Sequence, residues 1–458
     1  MTSDDPHSAD RPEGSATESA TTAPAGEAAP ANPPPWIIRW SVLALVSLAM
    51  FGNYYAYDAI APLADHLQRL LGYSDTQIGT LNAIYSFPNI IMVLIGGVIV
   101  DRIGTRRATL VFTAVCLLGA VVTAVSPSFV VMATGRLLFG LGAESMIVAI
   151  TVILGQWFVG RQLGFAFGLN LAIARAGSYG ADMSPTFARP LYEAGWQPPL
   201  WLAAATMGVA MVAIVVYFLL ERSAERRYDL GRPEPADRVE WRDLVHFDRS
   251  YWYVVGLCVT FYSVIFPFRS TFAIKYFQHA HELDLATAGQ MNSYVFLAAV
   301  FATPVFGLLA DRIGLRALLM AFGTFLLFLT FPLLVYTGAD LWVSTAMLGV
   351  AFSLVPAIMW PAVPYLVSAR RLGTAYGLMT MLQNIGMVLC NLGAGWLNDA
   401  SGASETNPSG YVPMLWMFAL LSLFGFVFAA ALRRRETGPD GHHLERPRPR
   451  AKLIDAAK

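Results

Sequence analysis

The chain has 458 residues, 56% of them hydrophobic and only 14% charged, with 31 basic and 31 acidic side chains that cancel. Soluble proteins carry about 25% charged residues, so this composition, with a mean hydropathy of +0.52, excludes an ordinary water-soluble globule. The balanced charge gives no reason to expect a nucleic-acid partner.

Residues 1–35 hold six acids, one arginine (Arg11) and no apolar core of the kind a secretory leader needs. Their Ala, Pro, Thr and Glu bias predicts a disordered tail. Apolar blocks follow at 37–57, 76–99, 107–126, 129–157, 163–186, 198–220, 251–274, 288–309, 316–337, 341–366, 372–396 and 411–432. Each is near the ~20 residues that cross a bilayer. The pattern predicts an all-α membrane protein of twelve transmembrane helices in two six-helix bundles, at 36–221 and 250–433. The one long polar connection, 222–249, reads as a linker between them, and 434–458 as a second tail.

Lys and Arg collect on cytoplasmic loops. With both termini inside, 25 of the 31 basic residues fall in inward tails and loops. Arg136 and Arg175 lie within spans, and Arg69, Arg189, Arg269 and Lys275 fall at or near the outer face. Cys116, Cys258 and Cys390 sit in separate spans and read as packing residues. The chain has no G-x-x-x-x-G-K-[ST] phosphate loop, which excludes an internal ATP engine. No His/Cys/Asp metal set occurs in the span interiors, so neither an enzyme, a metal nor a cofactor is expected. "HAH" at 279–281 reads as a short loop with two exposed histidines.

An internal repeat explains the two bundles. "GVIVDRIGTRRATL" (97–110) recurs as "GLLADRIGLRALLM" (307–320), so that Gly97, Asp101, Arg102, Gly104 and Arg106 map onto Gly307, Asp311, Arg312, Gly314 and Arg316. "QLGFAFGL" (162–169) returns as "RLGTAYGL" (371–378). Two parallel repeats are the plan of a carrier with a site at mid-membrane, complete in one chain and hence expected to work as a monomer.

The 97–107 loop resembles the signature loop of the major facilitator superfamily. Its second copy departs only in Ala317, which stands where the first has Arg107. "GRLLFGLG" on the fourth span is similar to another motif of that superfamily. The resemblance implies a secondary carrier working by alternating access, with Asp101, Arg102, Arg106, Asp311, Arg312 and Arg316 as gating charges that pair across helix ends. A narrower set, "AYDAIAPL" (56–63), "IYSFPN" (84–89), "GRLLFGLGAES" (135–145), "FGLNLAIARAGS" (167–178), "PVFGLLADRIG" (304–314) and "LGTAYGLMTMLQNIG" (372–386), looks like the branch that contains the lysosomal dipeptide carrier of animals. That branch implies transport without obligatory protons. The chain lacks an acidic dileucine sorting signal and a glycosylation sequon, and it has 28 arginines against three lysines. Those departures point to a plasma (inner) membrane location, with both termini cytoplasmic.

Glu144 stands at the centre of the fourth span and Arg175 at the centre of the fifth. Counting ~1.5 Å per residue from the turn near Gly160–Gln162 puts them at similar depth, roughly 25 and 20 Å. A charge at the bilayer centre costs about 2.5–3.5 kcal/mol on insertion scales, so it normally faces a partner or an aqueous cavity. The two are expected to pair with each other when no substrate is bound. With a substrate between them they form a clamp, carboxylate to ammonium and guanidinium to carboxylate. The narrower resemblance implies the same use. A small zwitterion, a dipeptide or an amino acid, is therefore the expected substrate.

The repeat places Ser353 and Asn384 opposite these charges, leaving Asn384, Gln383 and Trp360 of the second half, with Tyr57 of the first, to meet the substrate's side chains. Asp182, seven residues after Arg175, is a further ligand candidate, a proton carrier or a partner of Arg175. Asp58 and Arg136 are coupling candidates. Arg269 and Lys275 follow Pro267, read as a helix breaker, and are expected to snorkel to the interface. Proton-coupled transport of drugs, organic anions or sugars is the alternative. A drug–proton antiporter is disfavoured by the absence of a Gly-Pro pair on the fifth span. A transporter-like sensor is the alternative from another class.

Overall fold

The computed structural model describes residues 34–158, 162–225, 227–228, 247–336, 340–368, 371–439 and 441–447. Most of the expected N-terminal tail, the linker core at 229–246 and the last eleven residues lie outside them. Twelve helices of 19 residues or more run through the described residues: α1 (Trp36–Asp58), α2 (Asp75–Ile103), α3 (Thr105–Val125), α4 (Phe129–Phe158), α5 (Leu163–Phe187), α6 (Gln197–Ala224), α7 (Arg249–Pro267), α8 (Leu285–Ile313), α9 (Arg316–Tyr336), α10 (Leu341–Leu366), α11 (Leu372–Ala400) and α12 (Val412–Glu436). Among the described residues, nine helical stretches are long and apolar enough to span a membrane. A tenth follows if the halves of α2, bent by 58° just before Gly96–Gly97, count as one. By this criterion α5 and α11 do not qualify. Each carries buried polar groups, Asn170 and Asp182 on α5 and Asn384, Asn391 and Asn398 on α11.

Local sequence sets the helix ends. Ser74 accepts from Gln77 N (3.2 Å) while Gln77 Oε1 accepts from Ser74 N (3.0 Å), a reciprocal cap that starts α2. Gly104 and Gly314 hold φ of +81° and +71°, where a side chain would be strained. This explains why both copies of the signature loop place glycine at that turn. Pro267 does not end its helix, contrary to expectation. The chain continues through a π-turn (Phe268–Phe272) into Ala273–His281, and the wider turn accommodates the amide hydrogen that proline lacks.

α1 packs on α5 and α6, α3 on α4 and α6, and α2 on α4. In the last six helices, α7 packs on α11 and α12, α8 on α10, and α9 on α10 and α12. The two sets meet along α2–α11 and α5–α8, and their approach is closest on the distal face, opposite the terminal face where α1 begins and α12 ends. A Cβ at Gly79 would strike the Asn391 carbonyl, one at Gly395 the Asp75 carbonyl, and one at Gly289 the Asp182 carbonyl.

Candidate functional site

Glu144 and Arg175 occupy the middles of α4 and α5 as expected, and both side chains are half-buried. The expected pair is not made: no ion pair within 4.0 Å joins them, and Glu144 has no hydrogen-bond partner among the described residues. Arg175 instead rests among aromatic rings, 5.6 Å from Tyr54 of α1, 5.8 Å from Phe296 of α8 and 4.9 Å from Phe352 of α10. Its Nη1 is buried without a partner. Tyr54 lies in the electrostatic field of both Arg175 and Glu144. Counting along the helices leaves their azimuth open, and aromatic rings surround the guanidinium where the carboxylate was expected.

The second half contributes rings. Tyr262 stacks on Phe266 (5.6 Å), and Phe266 meets Phe352 (6.2 Å) and Tyr57 (6.2 Å). Trp360 Nε1 donates to the Tyr262 hydroxyl (2.9 Å), and the Tyr376 hydroxyl donates to the Trp360 carbonyl (3.1 Å). Gln383 accepts from Cys258 Sγ (3.5 Å). Asn384 is buried and donates to Thr380 of its own helix (3.0 Å), leaving its Oδ1 unpartnered.

Asp182 and Asp58 belong elsewhere. Both are buried around Arg269, whose Nη2 lies 3.1 Å from Asp182 and 3.2 Å from Asp58. Asn292 Nδ2 adds a bond to Asp182 (3.0 Å). The expected Asp182–Arg175 pairing is therefore replaced, and Arg269, only 1% exposed, does not snorkel. The π-turn that follows Pro267 carries Arg269 inward between the two sets of helices. Lys275, also expected at the interface, is fully buried and bonded to Asp75. His279, expected in an exposed loop, is buried between Asp65 (2.9 Å) and the Tyr411 hydroxyl (2.7 Å). Arg69 bridges Asp65 (2.9 Å) and Glu405 (2.8 Å). Asp399 accepts from the backbone of Asp75 and Thr76, both at 2.8 Å.

Together these bonds form a seal on the distal face. In its buried pairs the acidic side chains Asp58, Asp65, Asp75 and Asp182 come from the first half and the basic side chains Arg269, Lys275 and His279 from one segment of the second. The sequence signal for it is Arg269, Lys275 and His279, spaced along "FRSTFAIKYFQHAH".

Arg136 is buried and ties α4 to α1 and α2 by donating to the carbonyls of Ala56 (3.1 Å), Tyr57 (3.1 Å) and Leu81 (3.3 Å) and to Asn82 Oδ1 (2.5 Å). Asn82 in turn donates to Ser270 O (2.9 Å) and Thr271 Oγ1 (2.7 Å) across the seal.

The terminal face differs. Asp101 and Arg102 are exposed, and neither forms an ion pair among the described residues, so the expected pairing across helix ends is not made in this conformation. Arg106 pairs with Glu225 of its own half (2.6 Å). Arg316 binds Asp311 (3.0 Å) and donates to the carbonyls of Leu444 (3.2 Å) and Arg446 (3.0 Å), while Arg312 is exposed. The segment His442–Pro447 thus folds back as a strap over the second signature loop. Glu445 accepts from Ala317 N (2.6 Å), and burial lifts its carboxyl above the usual range against the pull of that bond and of Arg433.

Residues 46–279 and 259–458 match the Major Facilitator Superfamily. The chain is similar to a lysosomal dipeptide transporter, MFSD1, of Danio rerio, at 29% identity over 88% of this chain and 92% of that protein. It is 30% identical to the Bos taurus protein of the same name, over 80% of each. Among solved structures, a bacterial homologue of the human lysosomal transporter Spinster, in an inward-facing and unoccupied conformation, superposes with a TM-score of 0.70 at 15% identity. The match covers 89% of this chain and all of that one.

Proposed function

The chain belongs to the major facilitator superfamily and is a multi-pass secondary transporter of small molecules rather than an enzyme; from that premise we propose that it carries small zwitterions, dipeptides first, between Glu144 and Arg175. The observation that carries this reading is that two opposite charges stand half-buried in the middle of the helices and remain unpaired with each other. An empty site that keeps both charges separate spends no ion-pair energy when a ligand enters. An ammonium group answers Glu144, and a carboxylate answers the unpartnered Nη1 of Arg175 with charge-assisted bonds. The names of the relatives point to the same class of substrate. The surrounding rings, Tyr54, Tyr57, Phe266, Phe352 and Trp360, offer an adaptable apolar surface for varied side chains, with Gln383 and Asn384 as polar contacts.

The carrier alternates access. The distal face is the outside, closed by the Arg269 cluster, and the terminal face opens to the cytoplasm, where Asp101 and Arg102 form no ion pair among the described residues and Arg106, Asp311 and Arg316 pair within their own halves. Asp58 and Asp182 act in the seal rather than as ligands. The protein sits in the plasma membrane as a monomer with both termini inside, and moves substrate as a uniporter. One observation favours a second reading, proton-coupled transport: Glu144 has no cation within 4.0 Å among the described residues and can accept a proton.

Thermal stability of the purified protein against dipeptides, amino acids, sugars and cationic drugs tests the reading. A ligand at a hundred times its dissociation constant stabilises by about 2.7 kcal/mol. Dipeptides should stabilise the wild type, and Glu144→Gln and Arg175→Ala should each weaken binding by about 10- to 100-fold, as expected for bonds to charged groups. Normal peptide binding by both variants, or stabilisation by sugars or cations alone, overturns it.

A further inference from the structure

Phe296 is fully buried on α8, and two guanidinium groups lean on its ring. Arg269 lies 3.6 Å from the ring centroid, at stacking distance, and Arg175 lies 5.8 Å from it. The two cations are thus within about 9 Å of each other in a buried setting, where like charges repel appreciably. Phe352 meets Phe296 at 5.6 Å with an interplanar angle of 82° and also lies 4.9 Å from Arg175. One ring therefore touches both the arginine of the candidate substrate site and the arginine that holds the distal seal. Their situations differ. Arg269 pairs with Asp58 and Asp182, whereas Arg175 forms no ion pair among the described residues and its Nη1 is buried without a partner.

We infer that Phe296 is a positioning residue that couples occupancy of Arg175 to closure of the seal at Arg269. The inference rests on the zwitterion reading of the site. When Arg175 is bare, its charge opposes the arrival of Arg269 between Asp58 and Asp182. A substrate carboxylate on Arg175 cancels that opposition, so the loaded carrier closes its distal face more readily than the empty one. The ring sets the separation at which the cancellation is felt. Its π-face attracts both cations, which a saturated side chain of similar size cannot do. Closure thus follows loading, and release on the terminal face restores the bare charge that lets the seal reopen.

Ala288, buried on α8 beside the Gly289–Asp182 contact, reports on the seal. An Ala288→Cys variant with Cys116, Cys258 and Cys390 replaced is labelled by an impermeant maleimide added from the distal side, with and without saturating alanyl-leucine. In this background the dipeptide should slow labelling about tenfold. Phe296→Leu should keep dipeptide affinity within about threefold yet reduce the slowing to less than twofold, and Phe296→Tyr should restore it. Phe296→Met serves the same purpose should the leucine variant fail to fold. A full tenfold response without the ring overturns the inference, as does a loss of binding as large as that of Arg175→Ala, which would make the ring a wall of the site. Normal dipeptide binding by Glu144→Gln and Arg175→Ala refutes the underlying site reading, and the coupling falls with it.

Discussion

Replacing Arg269 by glutamine removes a cation in direct contact with two buried carboxylates. Asp58 and Asp182 are 0% exposed and lie 3.2 and 3.1 Å from its Nη2. In Arg269→Gln, Asp182 keeps the Asn292 amide (3.0 Å), while Asp58 loses the only ion pair it forms among the described residues. Removing one partner of a buried pair costs about 3–5 kcal/mol because the remaining charge is stranded. Opening the distal face relieves that cost by letting water reach both carboxylates. The equilibrium between sealed and open forms should therefore shift by the same amount, on the order of 10²–10³-fold at about 1.4 kcal/mol per decade. Labelling of Ala288→Cys from the distal side should accelerate by at least two orders of magnitude, or reach the rate of a fully exposed thiol. The double variant Arg269→Gln/Asp182→Asn removes one stranded charge and should recover part of the protection. Unchanged labelling in a monodisperse Arg269→Gln protein would refute the argument. Arg269 would then stabilise packing within the last six helices and not the seal.

Two other outcomes follow from the same geometry. Arg136→Lys keeps the charge but cannot reach the three carbonyls and Asn82 together; it should lower the thermal midpoint and loosen the distal seal while leaving dipeptide affinity within about threefold, measured by scanning calorimetry and titration. The strap should respond to pH. Burial raises the Glu445 carboxyl, so docking takes up a proton and strengthens as pH falls through that raised value, whereas at neutral pH the buried charge opposes it. Protection across 441–447, taken relative to the intrinsic exchange rate at each pH, should be higher in mild acid than at neutral pH, and Glu445→Gln, which still accepts from Ala317 N, should be protected at both.

Composition and the repeat made the architecture legible, because a span must be apolar and about 20 residues long wherever it lies in the bundle. The central charges were legible for the same reason: Glu144 and Arg175 interrupt apolar runs. Their separation was not, since the rotation of α4 depends on close approaches to its neighbours, such as that of Gly140 to the Tyr85 carbonyl of α2, which a count along one helix does not contain. The seal was hidden by a rule that is usually right. A basic residue near a span end normally reaches water, so Arg269 and Lys275 read as snorkelling. That reading assumed the helix stops at Pro267. Once the π-turn carries it on to His281, the same residues turn inward toward acids 87 to 211 residues earlier in the chain.

The division of labour between the halves follows from this. The first half supplies both central charges and the acids of the seal's ion pairs, while the second supplies the seal's cations and most of the rings. On the proposed reading, then, neither half binds a zwitterion or closes the distal face alone. The departure of the repeat from symmetry, Ser353 and Asn384 where the first half has Glu144 and Arg175, is what the proposed clamp requires. A second pair of charges facing the first would satisfy Glu144 and Arg175 internally and leave nothing for the substrate to complete.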